Sequence, residues 1–269
     1  MTEYYPGDTY ITPANVRKAF TEYLLLGSRW SPYSYFIKII LTYRPRALSG
    51  GYDDEMWAFS SYRIMKYLER CGAKFEITGM DRIRALTGPA VFVANHMSTL
   101  ETLALPGLIR PIRPVTFVVK RKLVNGFFWG PIMRSRNPIV VDRKDIRTDL
   151  ETVLREGAER LSRGISVIIF PEGTRAESFD RSHFNSLAIK LASRAGVPVI
   201  PVAVKTDYWS NGPLLRGFGP IHRDRPVHIE FREPMAIEGR GKAEHEKTVE
   251  FIESRLRAWG GKITEPSAT

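Results

Sequence analysis

The chain has 269 residues, of which 43% are hydrophobic, and this is enough to bury one sizeable core. Its 40 Lys and Arg residues outnumber its 29 Asp and Glu residues, and the net charge of +11 favours a polyanionic partner: nucleic acid, an anionic membrane surface or a phosphorylated substrate. The single cysteine, Cys71, excludes an internal disulfide framework and a cysteine-based metal cluster.

The most apolar window is YLLLGSRWSPYSYFIKIILTY, residues 23–43, which approaches the ~20 residues that a membrane-spanning helix needs. Gly, Pro and charged residues interrupt it, so we predict two short helices that break near Ser31-Pro32. Basic and aromatic residues surround these apolar runs, which suits a segment that lies at a membrane interface. The alternative is a pair of helices packed on the body of the protein with their charges outward. We assign residues 1–72 to an N-terminal helical, membrane-associating segment.

From Phe75 onwards, short apolar runs alternate with stretches of helical spacing. Seven β-branched or aromatic runs predict strands: KFEITG, PAVFVAN, PVTFVVK, NPIVVDR, ISVIIF, VPVIPVAV and PVHIEF. Strands that alternate with helices form parallel sheets. The pattern therefore predicts an α/β fold, with a single domain over residues 73–260 and a largely parallel central sheet flanked by helices. We expect the remaining residues, 261–269, to form a loose tail.

The longest helical pattern in this domain is TDLETVLREGAERLSRG, residues 148–164. Thr148 and Glu151 have the spacing of a capping box, and Gly164 is typical of the residue at which a helix stops. We therefore predict a helix that is capped at Thr148.

Two polar clusters directly follow predicted strands. His96 comes after AVFVAN, and the hexapeptide FPEGTR, residues 170–175, comes at the end of SVIIF. Ligands of open parallel sheets bind at the carboxyl ends of the strands, so both clusters lie where a site is expected.

The stretch NHMSTLE contains His96 and Glu101, and the residues alone leave two interpretations open. Ser98 and Glu101 fit an S-x-x-E capping box, in which the glutamate satisfies an amide at the start of a helix. Alternatively, a turn brings the Glu101 carboxylate to one ring nitrogen of His96, which fixes the tautomer and leaves the other nitrogen as a general base. The interpretations are compatible, because a helix N-terminus would hold the pair in place.

The stretch FPEGTR also has two interpretations. It is either a turn after a buried strand, with Gly173 at the bend, or an anion site in which Arg175 offers a bidentate fork to phosphate and Glu172 orients the arginine. A basic run leads to VVDR, and we expect most of its charges to be solvated. Arg143 ends a strand-like run and is the best single candidate there for a contact with a substrate phosphate.

In this order, NHMSTLE, VVDR, FPEGTR and VPVIPVAV resemble the four motifs of the glycerolipid acyltransferases, over about Phe75 to Met235. The nearest resemblance is to the 1-acylglycerol-3-phosphate acyltransferases. It implies an enzyme that moves a fatty acyl group from an acyl-CoA or acyl-carrier-protein thioester to the free hydroxyl of a lysophospholipid, forming phosphatidic acid from 1-acylglycerol 3-phosphate. It also implies no bound cofactor, no metal and no nucleic-acid partner, and a peripheral or monotopic place on the cytoplasmic face of a membrane.

The resemblance also implies roles for individual residues. His96 becomes the general base and Glu101 its partner. The residues expected to bind the acceptor phosphate are Arg143, Glu172, Gly173, Thr174 and Arg175, and the further substrate contacts expected are Asn95 and Lys120. Because the chain has no G-x-S-x-G nucleophile motif, we expect one-step transfer without a covalent enzyme intermediate.

The sequence departs from the family pattern in two places. Glu101 stands where aspartate is usual, although the related lipid A acyltransferases, which lack FPEGTR, have glutamate there. Asn185 and Leu187 stand where a lysine and a glycine are common after FPEGTR, which bears on the acceptor headgroup. The sequence therefore leaves open an acyltransferase for another lysolipid or a lipid A-type acceptor, and an inactive lipid-binding relative.

Overall fold

The computed structural model describes residues 2–213 and 217–265. The helices are α1 (Phe20–Leu24), α2 (Trp30–Leu48), α3 (Asp54–Arg70), α4 (Met80–Arg84), α5 (Leu100–Ile109), α6 (Arg121–Asn125), α7 (Gly130–Arg134), α8 (Ile146–Ser162), α9 (Leu187–Ala195) and α10 (Lys242–Ala258). The strands are β1 (Tyr10–Ile11), β2 (Phe75–Thr78), β3 (Val91–Ala94), β4 (Val115–Lys120), β5 (Ile139–Val141), β6 (Ser166–Ile169), β7 (Ser178–Phe179), β8 (Val199–Lys205), β9 (Val227–Phe231) and β10 (Lys262–Ile263).

Eight strands form one sheet in the order β1-β2-β9-β8-β3-β6-β4-β5. Its pairings are parallel except for β1 with β2 and β8 with β9. All seven predicted strands are present, and the predicted α/β fold with a largely parallel central sheet flanked by helices is confirmed. Strand β3 lies between β8 and β6, so the residues that follow it emerge near the middle of the sheet.

The sheet separates two apolar cores, and strand β3 contributes to both. Its side chains alternate between the faces: Phe92 and Ala94 pack into the core beneath α2, α3 and α5, and Val91 and Val93 pack into the core beneath α8, α9 and α10. Because helices cover both faces, the central strands are apolar without alternation, and β8 is buried at every residue.

The N-terminal segment breaks into two helices, as predicted, but at a different place. The break covers residues 25–29, and Pro32 lies inside the first turn of α2. Backbone N–H groups in that turn have no intrahelical partner, so a proline there removes no hydrogen bond. Among the helices of the described residues, none is both long enough and apolar enough to cross a bilayer.

Helix α2 has one face in the core and one face in solvent. Tyr33 and Ile40 are fully buried, whereas Trp30, Leu41 and Leu48 are more than half exposed. The three exposed residues are spaced by 11 and 7 positions, which at 3.6 residues per turn places them along one side of the helix. The buried face fits the interpretation of helices packed on the body of the protein, and contact of the exposed face with a membrane stays a prediction.

The C-terminal tail contributes a strand. Lys262–Ile263 pairs in parallel with Ser178–Phe179, the short strand that follows FPEGTR. The expectation of a loose tail therefore does not hold at Lys262–Ile263, and residues 266–269 lie outside the described part of the chain.

The N-cap of helix α8 lies three residues earlier than predicted, and the capping box proposed at Thr148 is wrong. The N-cap is Asp145, whose side chain accepts a hydrogen bond from the backbone N–H of Arg147. The Thr148 hydroxyl instead lies within the first turn and donates to the Asp145 carboxylate at 2.6 Å. An aspartate on extended backbone is a strong cap, and its charge also favours the helix N-terminus.

Candidate active site

His96 and Glu101 are in contact: Nδ1 of His96 lies 2.8 Å from Oε1 of Glu101. Strand β3 ends at Ala94 and helix α5 begins at Leu100, so both residues flank a turn rather than share a helix. A continuous helix would have placed the two side chains about 140° apart. The turn instead folds the carboxylate back onto the imidazole.

The Glu101 carboxylate is completely buried and accepts four hydrogen bonds. Oε1 accepts from His96 Nδ1 and from the backbone N–H of Ser98 at 2.7 Å, and Oε2 accepts from the hydroxyls of Ser98 at 2.9 Å and Thr206 at 2.6 Å. Burial acts to raise the pKa of Glu101, but hydrogen bonds and the charge of the imidazole outweigh it, so the pKa is lowered. The anionic carboxylate holds the ring proton on Nδ1 and leaves Nε2 as the proton acceptor.

The start of helix α5 uses the same groups. The hydroxyl of Ser98 accepts a hydrogen bond from the backbone N–H of Leu100 at 2.9 Å, while Glu101 accepts from the backbone N–H of Ser98. The bond from Ser98 to Glu101 is one half of a capping box, but the Ser98 hydroxyl accepts from Leu100 instead of Glu101, and the N-cap of α5 is Thr99. Oε1 of Glu101 therefore holds both this turn and the imidazole of His96.

The FPEGTR loop also contacts His96, at both its ring and its backbone. The ring of Phe170 stacks on the imidazole with the centroids 4.3 Å apart. The carboxylate of Glu172 accepts from the backbone N–H of His96, and the N–H of Ala176 donates to the carbonyl of His96 at 2.9 Å. The His96 side chain is 15% exposed, so the ring is held on several sides and remains reachable from solvent.

Glu172 contacts the backbone of His96, whereas the sequence suggested that it orients Arg175. Burial, together with the negative charge of Glu101, raises the pKa of Glu172 to about 8. The side chain is consequently mostly neutral at pH 7. It can hold the His96 peptide without adding a second negative charge close to the Glu101 carboxylate.

Gly173 and Arg143 pack against each other, which brings the VVDR and FPEGTR stretches together. Gly173 has a φ of 68°, in the left-handed region that favours glycine. A Cβ at this position would lie 2.7 Å from a guanidinium nitrogen of Arg143, so a side chain would displace the arginine. The backbone N–H of Arg143 donates to the carboxylate of Asp149 at 2.7 Å, which fixes the turn after β5.

Arg175 reaches the start of helix α5. Its guanidinium donates to the hydroxyl of Thr99 at 2.6 Å and lies 3.5 Å from Oδ1 of Asn211. A cavity of about 420 Å³ opens beside it, lined by Arg175, Glu177, Asn211, Gly212 and Pro213. The guanidinium and the N-terminus of the helix can each donate hydrogen bonds to an anion. Together, beside an open cavity, they can bind a phosphate group.

Asn95 is a structural residue rather than the substrate contact that was expected. It is 1% exposed, and its side-chain amide both donates to the carbonyl of Val204 and accepts from the N–H of Val204, each at 2.8 Å. These bonds continue the pairing of β3 with β8 beyond Ala94, and they hold the amide within the sheet, away from solvent.

The other predicted residues lie at the carboxyl ends of the strands or in the loops beyond them. Lys120 ends β4 opposite Val141 of β5, and Thr174 is exposed in the FPEGTR loop. Over residues 2–213 and 217–265, no three His, Cys, Asp or Glu side chains are grouped so that they could hold a metal ion.

Two further residues support the site: Thr206, which sequence reasoning missed, and Asn185, which it singled out only as a departure from the family pattern. Thr206 directly follows β8, next to β3, and the rule that ligand sites lie beyond parallel strands could have identified it. Asn185 donates to the carbonyl of Pro171 and accepts from the N–H of Leu187 at 2.9 Å, so it ties the FPEGTR loop to the start of α9. The local sequence carries no signal for this contact, because its partner lies fourteen residues away.

Residues 74–205 match the family model described as Acyltransferase. A 1-acyl-sn-glycerol-3-phosphate acyltransferase from Pseudomonas aeruginosa is 30% identical to this chain over 241 residues, which cover 88% of this chain and 86% of the relative. An Escherichia coli protein of the same description is 32% identical over 120 residues, covering 44% of this chain and 48% of the relative.

The fold is also similar to a solved structure. The crystal structure of the 1-acyl-sn-glycerophosphate acyltransferase PlsC from Thermotoga maritima superposes with a TM-score of 0.61, covering 91% of this chain and 95% of that chain. The sequences are 19% identical, so this likeness shows the fold.

Proposed function

This chain belongs to the acyltransferase family of these relatives, and on that premise we propose that it moves a fatty acyl group from a thioester to the free hydroxyl of a lysophospholipid. The acceptor is 1-acylglycerol 3-phosphate and the product is phosphatidic acid. The observation that carries this proposal is the contact between His96 and the buried Glu101 carboxylate at 2.8 Å, close to the FPEGTR loop with its arginine. The relatives from Pseudomonas aeruginosa and Escherichia coli, both described as 1-acyl-sn-glycerol-3-phosphate acyltransferases, support the choice of acceptor.

The reaction proceeds in one step. Nε2 of His96 takes the proton of the acceptor hydroxyl while the hydroxyl oxygen attacks the thioester carbonyl carbon. A carbon–oxygen bond forms, the carbon–sulfur bond breaks, and the proton passes from the imidazolium to the leaving thiolate. The Glu101 anion stabilises the imidazolium and keeps the ring in the correct tautomer.

The acceptor phosphate lies at Arg143 and Arg175. Two arginines supply the charge-assisted hydrogen bonds that phosphate prefers, and the helix N-terminus at Thr99 adds a favourable dipole. Gly173 lets the Arg143 guanidinium pack on the loop backbone. The neutral carboxyl of Glu172 avoids repulsion of the anion.

The acyl donor is a thioester of coenzyme A or of acyl-carrier protein, used as a co-substrate, and the reaction needs no resident cofactor. The two donors share the thioester and the phosphopantetheine arm. Parallel assays with palmitoyl-CoA and palmitoyl-carrier protein at equal concentration distinguish them. The better donor is the one with the higher kcat/KM.

An exposed apolar surface supports the proposal of a lipid acceptor. Exposed apolar side chains cluster at α1, the loop after it and the start of α2, and we name them the N-terminal apolar surface: Phe20, Tyr23, Leu24, Leu26 and Trp30. Leu26 is 92% exposed and has a φ of 50°, which is unfavourable for leucine. Exposed Lys18 and Arg29 flank this surface and would meet anionic headgroups. The protein would thus bind peripherally to the cytoplasmic face of a membrane.

The test is product formation by the purified protein. Labelled acyl-CoA and 1-acylglycerol 3-phosphate, presented in mixed micelles, are expected to give labelled phosphatidic acid. A panel of other lysophospholipids and a lipid A precursor measures whether another acceptor is preferred. Binding of the acceptor without any labelled product would instead indicate an inactive lipid-binding relative.

A further inference from the structure

Two segments that follow strand β8 pair with each other in antiparallel orientation. The N–H of Ser210 donates to the carbonyl of Pro220 at 3.0 Å, and the N–H of His222 donates to the carbonyl of Tyr208 at 2.7 Å. These bonds join two antiparallel arms, residues 208–213 and residues 217–222, and we name these two described arms the β8 hairpin.

The base of the β8 hairpin is fastened to the core beneath helix α2. Trp209 is fully buried, and its indole N–H donates to the carbonyl of Gly217 at 2.9 Å. Tyr33 of α2 packs on Trp209 with ring centroids 5.0 Å apart and donates its hydroxyl proton to the carbonyl of Gly219. A Cβ at Gly219 would lie 2.2 Å from the carbonyl oxygen of Ser210, so the two arms can approach only with glycine there.

Asn211 reaches from this base into the active site in two directions. Its Nδ2 donates to the carbonyl of Met97 at 2.7 Å, and Met97 is the residue directly after His96. Its Oδ1 faces the guanidinium of Arg175 at 3.5 Å. A carboxamide suits both contacts, because one end donates to a carbonyl and the other accepts from a cation.

We propose that Asn211 is a positioning residue that sets the distance between the general base and the phosphate-binding arginine. Through Met97 it holds the peptide that follows His96, and through Arg175 it holds the guanidinium at the edge of the 420 Å³ cavity. This inference rests on the proposed function, in which one acceptor molecule places its hydroxyl at His96 and its phosphate at Arg175. If His96 and Arg175 were misplaced relative to each other, the acceptor hydroxyl would be misaligned when its phosphate is bound. Acyl transfer would then be slower, because the rate depends on the geometry of the bound acceptor.

The first test is Asn211→Ala, which removes both contacts and leaves Trp209 and the hairpin base unchanged. We expect the acceptor KM to rise about tenfold and kcat to fall about tenfold, since each lost hydrogen bond corresponds to roughly a factor of ten. The donor KM should stay within about twofold, because no donor contact is assigned to Asn211. Unchanged acceptor KM and kcat would overturn the inference.

Ser210→Ala is the matched control, and its neighbouring position keeps the perturbation local. The Ser210 hydroxyl donates to the carbonyl of Asp207 at 3.3 Å and has no bond to Met97 or Arg175 among those of the described residues. We expect wild-type kinetics from this variant. A loss equal to that of Asn211→Ala would assign the effect to a disturbed hairpin and contradict a specific role for Asn211.

A double variant separates the two contacts of Asn211. In the background of Arg175→Ala, the substitution Asn211→Ala should no longer change the acceptor KM, because its partner is already gone. It should still lower kcat, because the contact with the Met97 carbonyl is independent of Arg175. A further rise of acceptor KM in the double variant, equal to that in the single variant, would contradict the coupling to Arg175.

A binding measurement keeps this inference distinct from the proposed reaction. Calorimetric titration with sn-glycerol 3-phosphate should show about tenfold weaker binding to Asn211→Ala than to wild type, with Ser210→Ala unchanged. Equal binding by wild type and Asn211→Ala would contradict the contact with Arg175. Weaker binding by Asn211→Ala, together with no acyl transfer by wild type to any lysophospholipid, would refute the proposed function and leave the Arg175 contact standing.

Discussion

The carboxylate of Glu101 lies 2.8 Å from Nδ1 of His96, and the same oxygen accepts the backbone N–H of Ser98 in the turn before helix α5. Its second oxygen accepts from the hydroxyl of Thr206, beyond the end of the neighbouring strand β8. His96, the turn before α5 and the end of β8 are therefore joined through one side chain. The length of that side chain matters, because it has to reach all three.

Glu101→Asp tests whether the site is built around the longer side chain. Removing one methylene withdraws the carboxylate by about 1 Å, so it cannot keep both the His96 and the Thr206 contacts. We expect kcat to fall by about 10- to 100-fold, the cost of a misplacement on that scale, with a smaller effect on KM. Steady-state kinetics at a saturating concentration of the acyl donor measure kcat and the acceptor KM of both proteins. A rise in kcat would show that glutamate is a compromise at this position.

Glu172→Gln tests the neutral carboxyl beneath His96 through the pH dependence of stability. The folded pKa of about 8 lies above the ordinary value of 4.5, so this group stabilises the fold fully below about pH 4.5 and loses that contribution as pH rises to about 8. Gln keeps an acceptor for the His96 N–H but does not titrate.

The free energy of unfolding of wild type, measured in urea, should therefore fall relative to that of Glu172→Gln between about pH 4.5 and 8. The change should be on the order of a few kcal/mol, since one pKa unit corresponds to about 1.4 kcal/mol. A difference between the two proteins that does not vary with pH would refute the raised pKa.

Gly173→Ala tests the packing of Arg143 on the FPEGTR loop. The new Cβ would lie 2.7 Å from the guanidinium, so the arginine has to move away from the phosphate position. We expect the acceptor KM to rise about tenfold, the value of one charge-assisted hydrogen bond. Gly164→Ala is the control, because Gly164 also has a positive φ, 78°, but has open space around its Cβ. It should lose about 1 kcal/mol of stability with an unchanged KM.

The N-terminal apolar surface can be tested without disturbing the core. Deleting residues 1–45 would also remove Tyr33 and Ile40, which are fully buried, so point substitutions are preferable. The combined variant Leu24→Ser/Leu26→Ser should bind anionic phospholipid vesicles at least about tenfold more weakly, because each exposed leucine is worth about 1.5 kcal/mol or more when buried. Ile146→Ser, at another exposed apolar residue, is the control and should bind like wild type. Unchanged vesicle binding by the combined variant would contradict the assignment.

The main strands could be predicted from the sequence because their signals are local, and the contact between His96 and Glu101 is one of the two interpretations that the residues leave open. Seven runs rich in apolar residues correspond to seven strands: the central ones are apolar throughout, whereas β2 and β9 alternate between buried and less buried residues. His96 and Glu101 lie five positions apart on a strand-to-helix turn, so their contact is also determined locally. The short strands β1, β7 and β10 have two residues each and no periodicity to detect.

The remaining site residues could not be identified because their roles depend on distant partners. Asn95 has the position in the sequence of a site residue, yet its amide is buried and bonds to the backbone of Val204, 109 positions away. Asn211 lies in a polar stretch without a motif, and its contact with Met97 spans 114 positions. Only the placement of β8 beside β3 brings these segments together, and local sequence does not contain that information.

The central claim is that His96 acts as the base in acyl transfer to a phosphate-bearing acceptor. The most direct measurement is the rate of labelled phosphatidic acid formation from labelled acyl-CoA and 1-acylglycerol 3-phosphate by wild type and by His96→Ala, with matched thermal unfolding curves. We expect turnover by wild type and no detectable turnover by a folded His96→Ala. Turnover at the wild-type rate by His96→Ala would contradict the account.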